Sequence, residues 1–270
     1  MTDADRPAPG PTLDWGTGSY ETTAVELEPV ARRVVEMANL AGGERVLDLA
    51  CGTGNAALLA AKAGASVTGL DASERLVSVA AERAAAEHLH VHWQTGDLHA
   101  LPFPDGSFEL VISVFGVIFA QNPEQAISEI VRVLAPGGRA LVTTWIPAGG
   151  IDAAVGIAMR AVSAATGFTP PRFPWADQAA VSELVARSSA GVSFAEGQLT
   201  FTGTSPERYF DEVQSVHPMS VATRPLLENA GAYADVREQM IAALASHNED
   251  PSGLRLTSRY LVVQIQPAED

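Results

Sequence analysis

The stretch RVLDLACGTGNAALLAA, residues 45–61, decides the fold. Residues 45–50 form a short apolar run typical of a buried strand, and the alanine-rich residues 55–63 are typical of a helix. Between them, Gly52 and Gly54 allow the backbone to turn sharply and to approach a ligand closely, because no Cβ stands in the way. The stretch therefore predicts one strand–turn–helix unit of a parallel sheet, with a ligand bound at the carboxyl end of the strand.

Strands and helices continue to alternate on both sides of this stretch. A helix is predicted over residues 20–43, with Gly42 and Gly43 as its stop, and Ser73 is a plausible N-cap for a later helix. Further strands are predicted over 65–70, 90–95, 108–114 and 138–145, and further helices over 73–87 and 123–134. This alternation predicts an α/β fold with a doubly wound parallel sheet and right-handed crossovers.

The pattern changes after residue 146. Mainly helical segments surround a strand predicted over 192–201, and a long strand over 254–266 ends the chain. No internal repeat and no linker separates the two halves, so we predict one domain over 13–270. Its cofactor half is 13–146 and its acceptor and lid half is 147–270, preceded by a disordered tail over residues 1–12.

The composition counts against several classes of function. The 270 residues include 17 basic and 32 acidic side chains, a net charge of −15, and Lys62 is the only lysine. Because nucleic-acid binding depends on contacts from Lys and Arg to phosphates, we expect no nucleic-acid partner. Cys51 is the only cysteine, which excludes an intramolecular disulfide. With no apolar leader or membrane-length run, we expect a soluble, cytoplasmic protein without a membrane partner.

The acidic residues near the glycines limit the choice of ligand. Asp48 lies inside a buried strand, where a carboxylate is costly unless it is paired, so it predicts a cationic ligand group. The spacing Gly52-x-Gly54-x-x-Ala57 also fits the dinucleotide fingerprint, with Asp71 near the position of a ribose-binding acid. An NAD-dependent oxidoreductase is therefore an alternative, although Asp48 would repel a pyrophosphate. Asp97, after the third strand, suits a purine amino group.

Four segments together resemble the motifs of a known family. They are VLDLACGTG (46–54), GLDAS (69–73), GDLHALPFPDGSFELVIS (96–113) and VRVLAPGGR (131–139). In this order they resemble class I methyltransferases that depend on S-adenosylmethionine (SAM), and are most similar to the small-molecule group with the ubiquinone/menaquinone C-methyltransferases. The resemblance covers about residues 15–146. It implies SAM as cofactor and a Rossmann-like seven-stranded sheet with an antiparallel last strand and helical lid insertions.

The resemblance also implies a role for individual residues. Asp48 and the glycine loop would hold the methionine end of SAM, Asp71 the ribose hydroxyls and Asp97 the adenine, while Tyr20 could reach the SAM carboxylate. The cofactor-binding candidates are Tyr20, Asp48, Ala50, Gly52, Thr53, Gly54, Asn55, Asp71, Ala72, Gly96, Asp97, Leu98, Ser113 and Val114.

The acceptor side is less well defined by the sequence. His217 is the candidate catalytic base, if the acceptor requires one. Large apolar residues supply a candidate pocket for a lipid-like, aromatic or polyketide acceptor, and residues 166–178 suggest an ordered lid loop. The pocket candidates are Phe115, Phe119, Trp145, Trp175 and Tyr209.

Other chemistries are disfavoured. His90 and His92 share one strand face, but no third ligand is evident, so we expect no metal. Residues 113–116 read Ser-Val-Phe-Gly and lack the motifs expected after the fourth strand of an enzyme that methylates nucleic-acid bases. The predicted function is methyl transfer to oxygen or carbon of a small molecule by a monomer or homodimer. The alternatives are a SAM-binding module without methyl transfer and the NAD-dependent oxidoreductase.

Overall fold

The computed structural model describes residues 13–169 and 172–268, and its seven strands form one sheet. The strands are β1 (Arg45–Leu49), β2 (Ser66–Asp71), β3 (Val91–Thr95), β4 (Phe108–Ser113), β5 (Leu134–Ile146), β6 (Ala190–Gly203) and β7 (Leu254–Pro267). Their spatial order is β3-β2-β1-β4-β5-β7-β6. Strands β1 to β5 are parallel, and β7 pairs antiparallel with both β5 and β6. The predicted α/β sheet with an antiparallel last strand is confirmed. The tail predicted over residues 1–12 lies outside the described residues.

Helices cover both faces of the sheet. They are α1 (Tyr20–Ala38), α2 (Asn55–Lys62), α3 (Glu74–Ala86), α4 (Pro123–Val133), α5 (Gly149–Thr166), α6 (Gln178–Ala186), α7 (Pro206–Tyr209), α8 (Pro218–Asn229) and α9 (Tyr233–Ser246). Since successive strand residues face opposite sides, Val46 packs into a core with α1, α2, α5 and α9. Leu47 and Leu49 pack into a second core with α4 and α6. Ser73 caps α3 as predicted, accepting a hydrogen bond from the Leu76 N–H at 3.3 Å.

Two predicted boundaries are wrong. Helix α1 ends at Ala38 and not at Gly43, because Asn39 adopts the left-handed conformation (φ 47°) and its N–H bonds back to Glu36. Strand β5 begins at Leu134, directly after α4, and not at Gly138. The pairing of β5 with β4 is irregular at the start of β5. This irregularity allows the extended strand to include the Pro-Gly-Gly turn that we expected to precede it.

The carboxyl ends of β1, β2 and β4 meet at one edge of the sheet, because these strands are parallel neighbours. The loops after these three strands therefore lie side by side, below the N-terminus of α1. Within residues 13–169 and 172–268, no helix is both long and apolar enough to cross a bilayer.

Candidate functional site

The loop after β1 has a backbone that favours glycine. Ala50, Gly52 and Gly54 all have positive φ angles, of 55°, 54° and 84°. A Cβ on Gly52 would lie 2.9 Å from the ring of Tyr20, which covers the loop from α1. Ala50 accepts the left-handed conformation despite its Cβ, and such strained residues cluster at functional sites. Glycine therefore suits these predicted positions for two reasons. The backbone adopts positive φ angles there, and the Tyr20 ring lies too close to Gly52 to leave room for a Cβ.

Trp93 and Arg83 support the glycine loop from behind. A Cβ on Gly54 would lie 2.7 Å from the Trp93 indole. The Arg83 guanidinium donates to Thr53 O at 2.6 Å, to Thr53 Oγ1 at 3.0 Å and to Asn55 Oδ1 at 2.9 Å. The loop is thus held in shape before any ligand binds. Sequence reasoning missed both residues, because each reaches the loop from an element far along the chain.

Asp48 lies at the floor of the site, and its carboxylate has no cationic partner among the residues that the structure describes. It is 2% exposed, and its Oδ2 accepts the Ala57 N–H at 2.8 Å, which caps α2. Burial raises its pKa to about 7, and the nearby Asp71 carboxylate adds to this effect. No Lys, Arg or His in the described part of the chain forms an ion pair with it. A cationic ligand group would satisfy this carboxylate.

Asp71 joins the loops that follow β1 and β2. Its Oδ2 accepts the Gly52 N–H and its Oδ1 accepts the Ser73 N–H, both at 2.8 Å. Burial raises its pKa despite these bonds. Each carboxylate oxygen retains a further lone pair, so Asp71 can position the glycine loop and still accept a bond from a ligand hydroxyl. Its ribose role stays a prediction.

Asp97 and its neighbours form the outer wall of the predicted adenine site. The Asp97 side chain is 67% exposed and Oδ1 lies 2.7 Å from Nδ1 of His99. Its pKa is lowered, first by a hydrogen bond from the His99 backbone. Ala72 is exposed, a Cβ on Gly96 would press on Leu70, and Leu98 packs against the second core. Their adenine-binding roles also stay predictions.

The loop after β4 contacts the loop after β1. A Cβ on Gly116 would lie 2.4 Å from that of Ala50, so the two backbones are in close contact. Phe115 has φ 56°, and its N–H donates to Thr143 Oγ1 at 2.8 Å. Ser113 Oγ accepts the Val117 N–H at 3.1 Å, which fixes the turn. The cleft between the loops is lined by Tyr20, Ala24, Leu27, Asp48, Ala50, Cys51, Thr53, Asn55, Ala56 and Val114.

The N-terminus of α1 closes over this cleft and is held by polar contacts. Arg75 of α3 donates to Gly16 O at 2.7 Å and forms an ion pair with Glu21. Asn55 Nδ2 donates to Ala24 O at 2.6 Å. The Ser19 N–H bonds to Val216 O at 2.8 Å, which connects this segment to the loop before α8. Tyr20 is placed over the site by these contacts.

Aromatic residues in and around the cleft form two groups. Phe115, Trp145, Phe201 and Tyr209 form the inner aromatic group, in which Phe115 and Trp145 stack at 3.8 Å between ring centroids. Trp15, Tyr20, Phe119 and His217 form the rim aromatic group, in which Trp15 lies 4.6 Å from Phe119 and 5.8 Å from His217.

One pocket candidate lies apart from both aromatic groups. Trp175 packs with Phe173 in the second core, on the opposite face of the sheet. It is 6% exposed there. The structure therefore brings Phe115, Trp145 and Tyr209 together, places Phe119 at the rim and separates Trp175 from the site, because its loop leads to α6 on the far face.

His217 lies at the N-cap of α8 and contacts the site through its ring. Its Nδ1 accepts the Met219 N–H at 3.2 Å, so the proton of the neutral imidazole lies on Nε2. Burial lowers its pKa to about 4, which keeps the ring neutral at pH 7. In this tautomer the ring can donate a hydrogen bond from Nε2, and its role as a catalytic base stays a prediction. Among the described residues, no three His, Cys, Asp or Glu side chains form a metal cluster.

Comparisons with known proteins decide the family. A model described as a methyltransferase domain matches residues 46–138. The uncharacterized protein Rv1405c of Mycobacterium tuberculosis is 32% identical over 245 residues, 87% of each chain. Demethylmenaquinone methyltransferase of Thermus thermophilus is 42% identical over 118 residues, 43% of this chain and 54% of that protein.

The chain belongs to the class I SAM-dependent methyltransferases. The fold agrees: the crystal structure of the YcgJ protein from Bacillus subtilis superposes with a TM-score of 0.62 at 18% identity, covering 90% of this chain and 100% of that one. SAM is the cofactor of this methyltransferase, and the oxidoreductase alternative is set aside. The site suits SAM chemically, because the buried Asp48 lacks a cation and the glycine loop leaves room for a close ligand.

Proposed function

We propose that this methyltransferase transfers the methyl group of SAM to oxygen or carbon of a small, largely apolar acceptor. The observation that carries the proposal is the inner aromatic group, which extends from Phe115 at the cofactor cleft. Phe115 and Tyr209 are 5% and 2% exposed and belong to the core, whereas Trp145 is partly exposed, so Trp145 is the member of the group that an acceptor would contact first. An apolar site with few polar groups is typical of small-molecule binding. The similarity to a demethylmenaquinone methyltransferase supports a ring-shaped acceptor.

On this proposal the chain positions the two reactants. SAM supplies a methyl group activated by its positive sulfur. Asp48 binds the ammonium group, the glycine loop binds the methionine end, and Asp71 accepts bonds from the ribose hydroxyls. Val114 and Phe115 line the face on which the acceptor meets the methyl group. Because methyl transfer is an in-line displacement, alignment of donor and acceptor is the main contribution of the protein.

The proposal includes the setting in which the enzyme works. One domain over residues 13–270 is supported by the continuous sheet, since β6 and β7 of the second half extend the sheet of the first. The acidic composition disfavours a nucleic-acid acceptor. We further propose a cytoplasmic enzyme, active as a monomer or a homodimer.

Labelled SAM tests the proposed function. The protein is incubated with SAM labelled in its methyl group and a small-molecule extract, and the products are then treated with alkali. We expect label in an alkali-stable product with the wild-type protein and none with Asp48→Asn. Label released as methanol would show that the oxygen acceptor is a carboxylate, because alkali hydrolyses a methyl ester but neither an ether nor a C-methyl product. SAM binding by calorimetry without any transfer would favour a SAM-binding module.

A further inference from the structure

Glu26 is a partly buried carboxyl group that the cofactor site does not use. It lies on α1, between Ala24 and Leu27, which line the cleft, and it is half-buried. Its Oε2 accepts a hydrogen bond from the Tyr209 hydroxyl at 3.2 Å. No Lys, Arg or His of the described residues forms an ion pair with it. A buried carboxyl costs free energy unless it is paired, so an unpaired one in this place points to a function.

Tyr209 connects Glu26 to the proposed acceptor surface. Its ring lies 6.4 Å from that of Phe201, which lies 6.2 Å from Trp145, and Trp145 stacks on Phe115. The inner aromatic group therefore extends without a break from the cofactor cleft to the Glu26 carboxyl. Tyr209 also ends α7, and the next turn, Phe210–Gln214, is π-helical. Such turns are frequent at functional sites.

Thr23 adds an unsatisfied group next to Glu26. It lies three residues earlier on α1, and residues three apart share a helix face. Its Oγ1 is buried and has no hydrogen-bond partner within the described residues. A buried hydroxyl without a partner costs about 1–3 kcal/mol, and a polar group of a ligand would remove that cost. Thr23 and Glu26 thus offer one donor and one acceptor to the same end of a ligand.

Glu26 can exchange a proton near neutral pH. Burial raises its pKa to about 7, although the Tyr209 hydrogen bond partly opposes the shift. Tyr209 has a raised pKa itself, first through burial and then through the Glu26 charge, so it remains protonated and donates to Glu26. No other charged group of the described chain contributes to the Glu26 shift. A base is most effective when its pKa lies near the working pH.

We propose that Glu26, positioned by Tyr209, accepts the hydroxyl proton of a phenolic acceptor, whose oxygen Thr23 also binds. The inference rests on the proposed function. As the new oxygen–methyl bond forms, the methyl–sulfur bond of SAM breaks and its electron pair stays on sulfur, while the phenol proton passes to Oε1 of Glu26. A carboxylate acceptor has no proton to give and would be repelled by the Glu26 carboxylate, so this site favours phenols. Glu26 is the catalytic residue, and Tyr209 is a positioning residue.

A matched pair of probes tests this inference without knowledge of the natural acceptor. The protein is saturated with S-adenosylhomocysteine and titrated with 4-nitrophenol or with 4-nitrobenzoate at pH 7. We expect the wild type to bind 4-nitrophenol as its phenolate, seen in the visible spectrum, with an infrared band of a protonated carboxyl. Glu26→Gln should lose that band and bind the phenol about tenfold more weakly. The wild type should exclude 4-nitrobenzoate, and Glu26→Gln should admit it.

Kinetics with labelled SAM and 4-methylphenol, which stays protonated in water at pH 7, give the second measurement. Removal of a general base typically costs 10²–10⁴-fold in rate, so Glu26→Gln should lower kcat about 100-fold and Glu26→Asp should restore part of it. Tyr209→Phe should shift the acidic limb of the pH profile and leave KM for SAM unchanged. Glu28→Gln, an exposed partner of Arg32 on the same helix, is the control and should match the wild type.

The outcomes separate this inference from the proposed function. Equal spectra and rates for wild type and Glu26→Gln, or a preference for 4-nitrobenzoate, would overturn it. Failure of the wild type to bind any 4-nitrophenol would overturn it too, because a site for phenols must admit one. If label still enters products of the extract in those cases, the proposed function stands. Unchanged SAM affinity of Glu26→Gln by calorimetry shows that the variant is folded.

Discussion

Asp48 has two tasks at the residue scale. One carboxylate oxygen caps α2 through the Ala57 N–H, and the carboxylate as a whole is the proposed partner of a ligand cation. Burial raises its pKa to about 7 in the ligand-free protein. A bound ammonium group would lower that pKa, because an opposite charge favours the ionised form. Binding and deprotonation are therefore coupled.

This coupling predicts how SAM binding depends on pH. Below about pH 7, SAM must displace a proton from Asp48, so its affinity should fall by up to tenfold for each unit of pH. Calorimetry in buffers of different ionisation enthalpy should detect the proton released. Asp48→Asn should bind SAM at least 100-fold more weakly and without this pH dependence. Asp235→Asn, an exposed carboxylate on α9, should behave as the wild type, and equal proton release by both variants would contradict the assignment.

Gly69 and Trp93 show a tight contact between elements. They are paired in register on β2 and β3, and a Cβ on Gly69 would lie 2.3 Å from the indole ring. The same ring extends to Gly54 in the cofactor loop. A small residue on one strand thus allows a large one on the next strand to support the loop after β1. The cross-strand pair of Gly69 and Trp93 therefore helps to fix the shape of the cofactor loop.

Gly69→Ala should destabilise the protein by about 1–3 kcal/mol, because the ring must move in a packed region. In a Trp93→Leu background the same substitution should cost less, since the smaller side chain leaves space. Urea unfolding of the four proteins in this double-mutant cycle measures the difference. Gly191→Ala, in an open position on β6, is the control and should change stability by less than about 0.5 kcal/mol. Additive effects at 69 and 93 would contradict the contact.

The N-terminus of α1 is a lid, and Arg75 contributes two of the polar contacts that hold it. Arg75 contacts Gly16 O and Glu21, and the Arg75 and Glu21 side chains are each 39% exposed. An ion pair of that exposure contributes about 0.2–1 kcal/mol. Arg75 should therefore hold the lid without determining the fold.

Arg75→Met should loosen residues 13–24 selectively. Their amide hydrogen exchange should accelerate about twofold to fivefold, and S-adenosylhomocysteine should dissociate faster in stopped flow, while unfolding by urea changes little. Arg32→Met removes an exposed ion pair further along the same helix and should leave both rates unchanged. Identical exchange in the two variants would show that Arg75 does not hold the lid.

At the scale of the whole molecule, the buried carboxyls oppose folding at neutral pH. Burial raises the pKa values of Asp48 and Glu26 to about 7 and also raises that of Asp71. A carboxyl with a raised pKa contributes most to stability below its ordinary value near 4, and this contribution is lost as pH rises through the folded value. His217, with a lowered pKa of about 4, acts with the opposite sign as pH falls below its ordinary range.

Asp48→Asn should therefore stabilise the ligand-free protein at pH 8 and not at pH 4. A shift of about three pKa units corresponds to a gain of at most about 4 kcal/mol, since each unit is about 1.4 kcal/mol. The amide oxygen can still cap α2. Chemical unfolding at several pH values measures the difference, which should grow between about pH 4 and pH 7. A variant less stable than wild type at pH 8 would contradict the account.

The sequence by itself determined the sheet and the cofactor loop, because both depend on local order along the chain. Alternating strands and helices, Gly52, Gly54 and Asp48 all lie within short segments whose patterns can be read directly. The exact ends of α1 and β5 do not follow from these patterns, since left-handed Asn39 and the irregular β4–β5 pairing compete with the Gly signals.

Only the tertiary structure decided which distant side chains meet. Arg83 and Trp93 reach the cofactor loop from later elements, Tyr209 meets Glu26 across 183 residues of chain, and Trp175 is carried to the opposite face. The protonation of Asp48 and the donor geometry of His217 follow from burial and from hydrogen bonds, neither of which a sequence records. Local patterns specify the elements, whereas desolvation and long-range contacts exist only after those elements have packed.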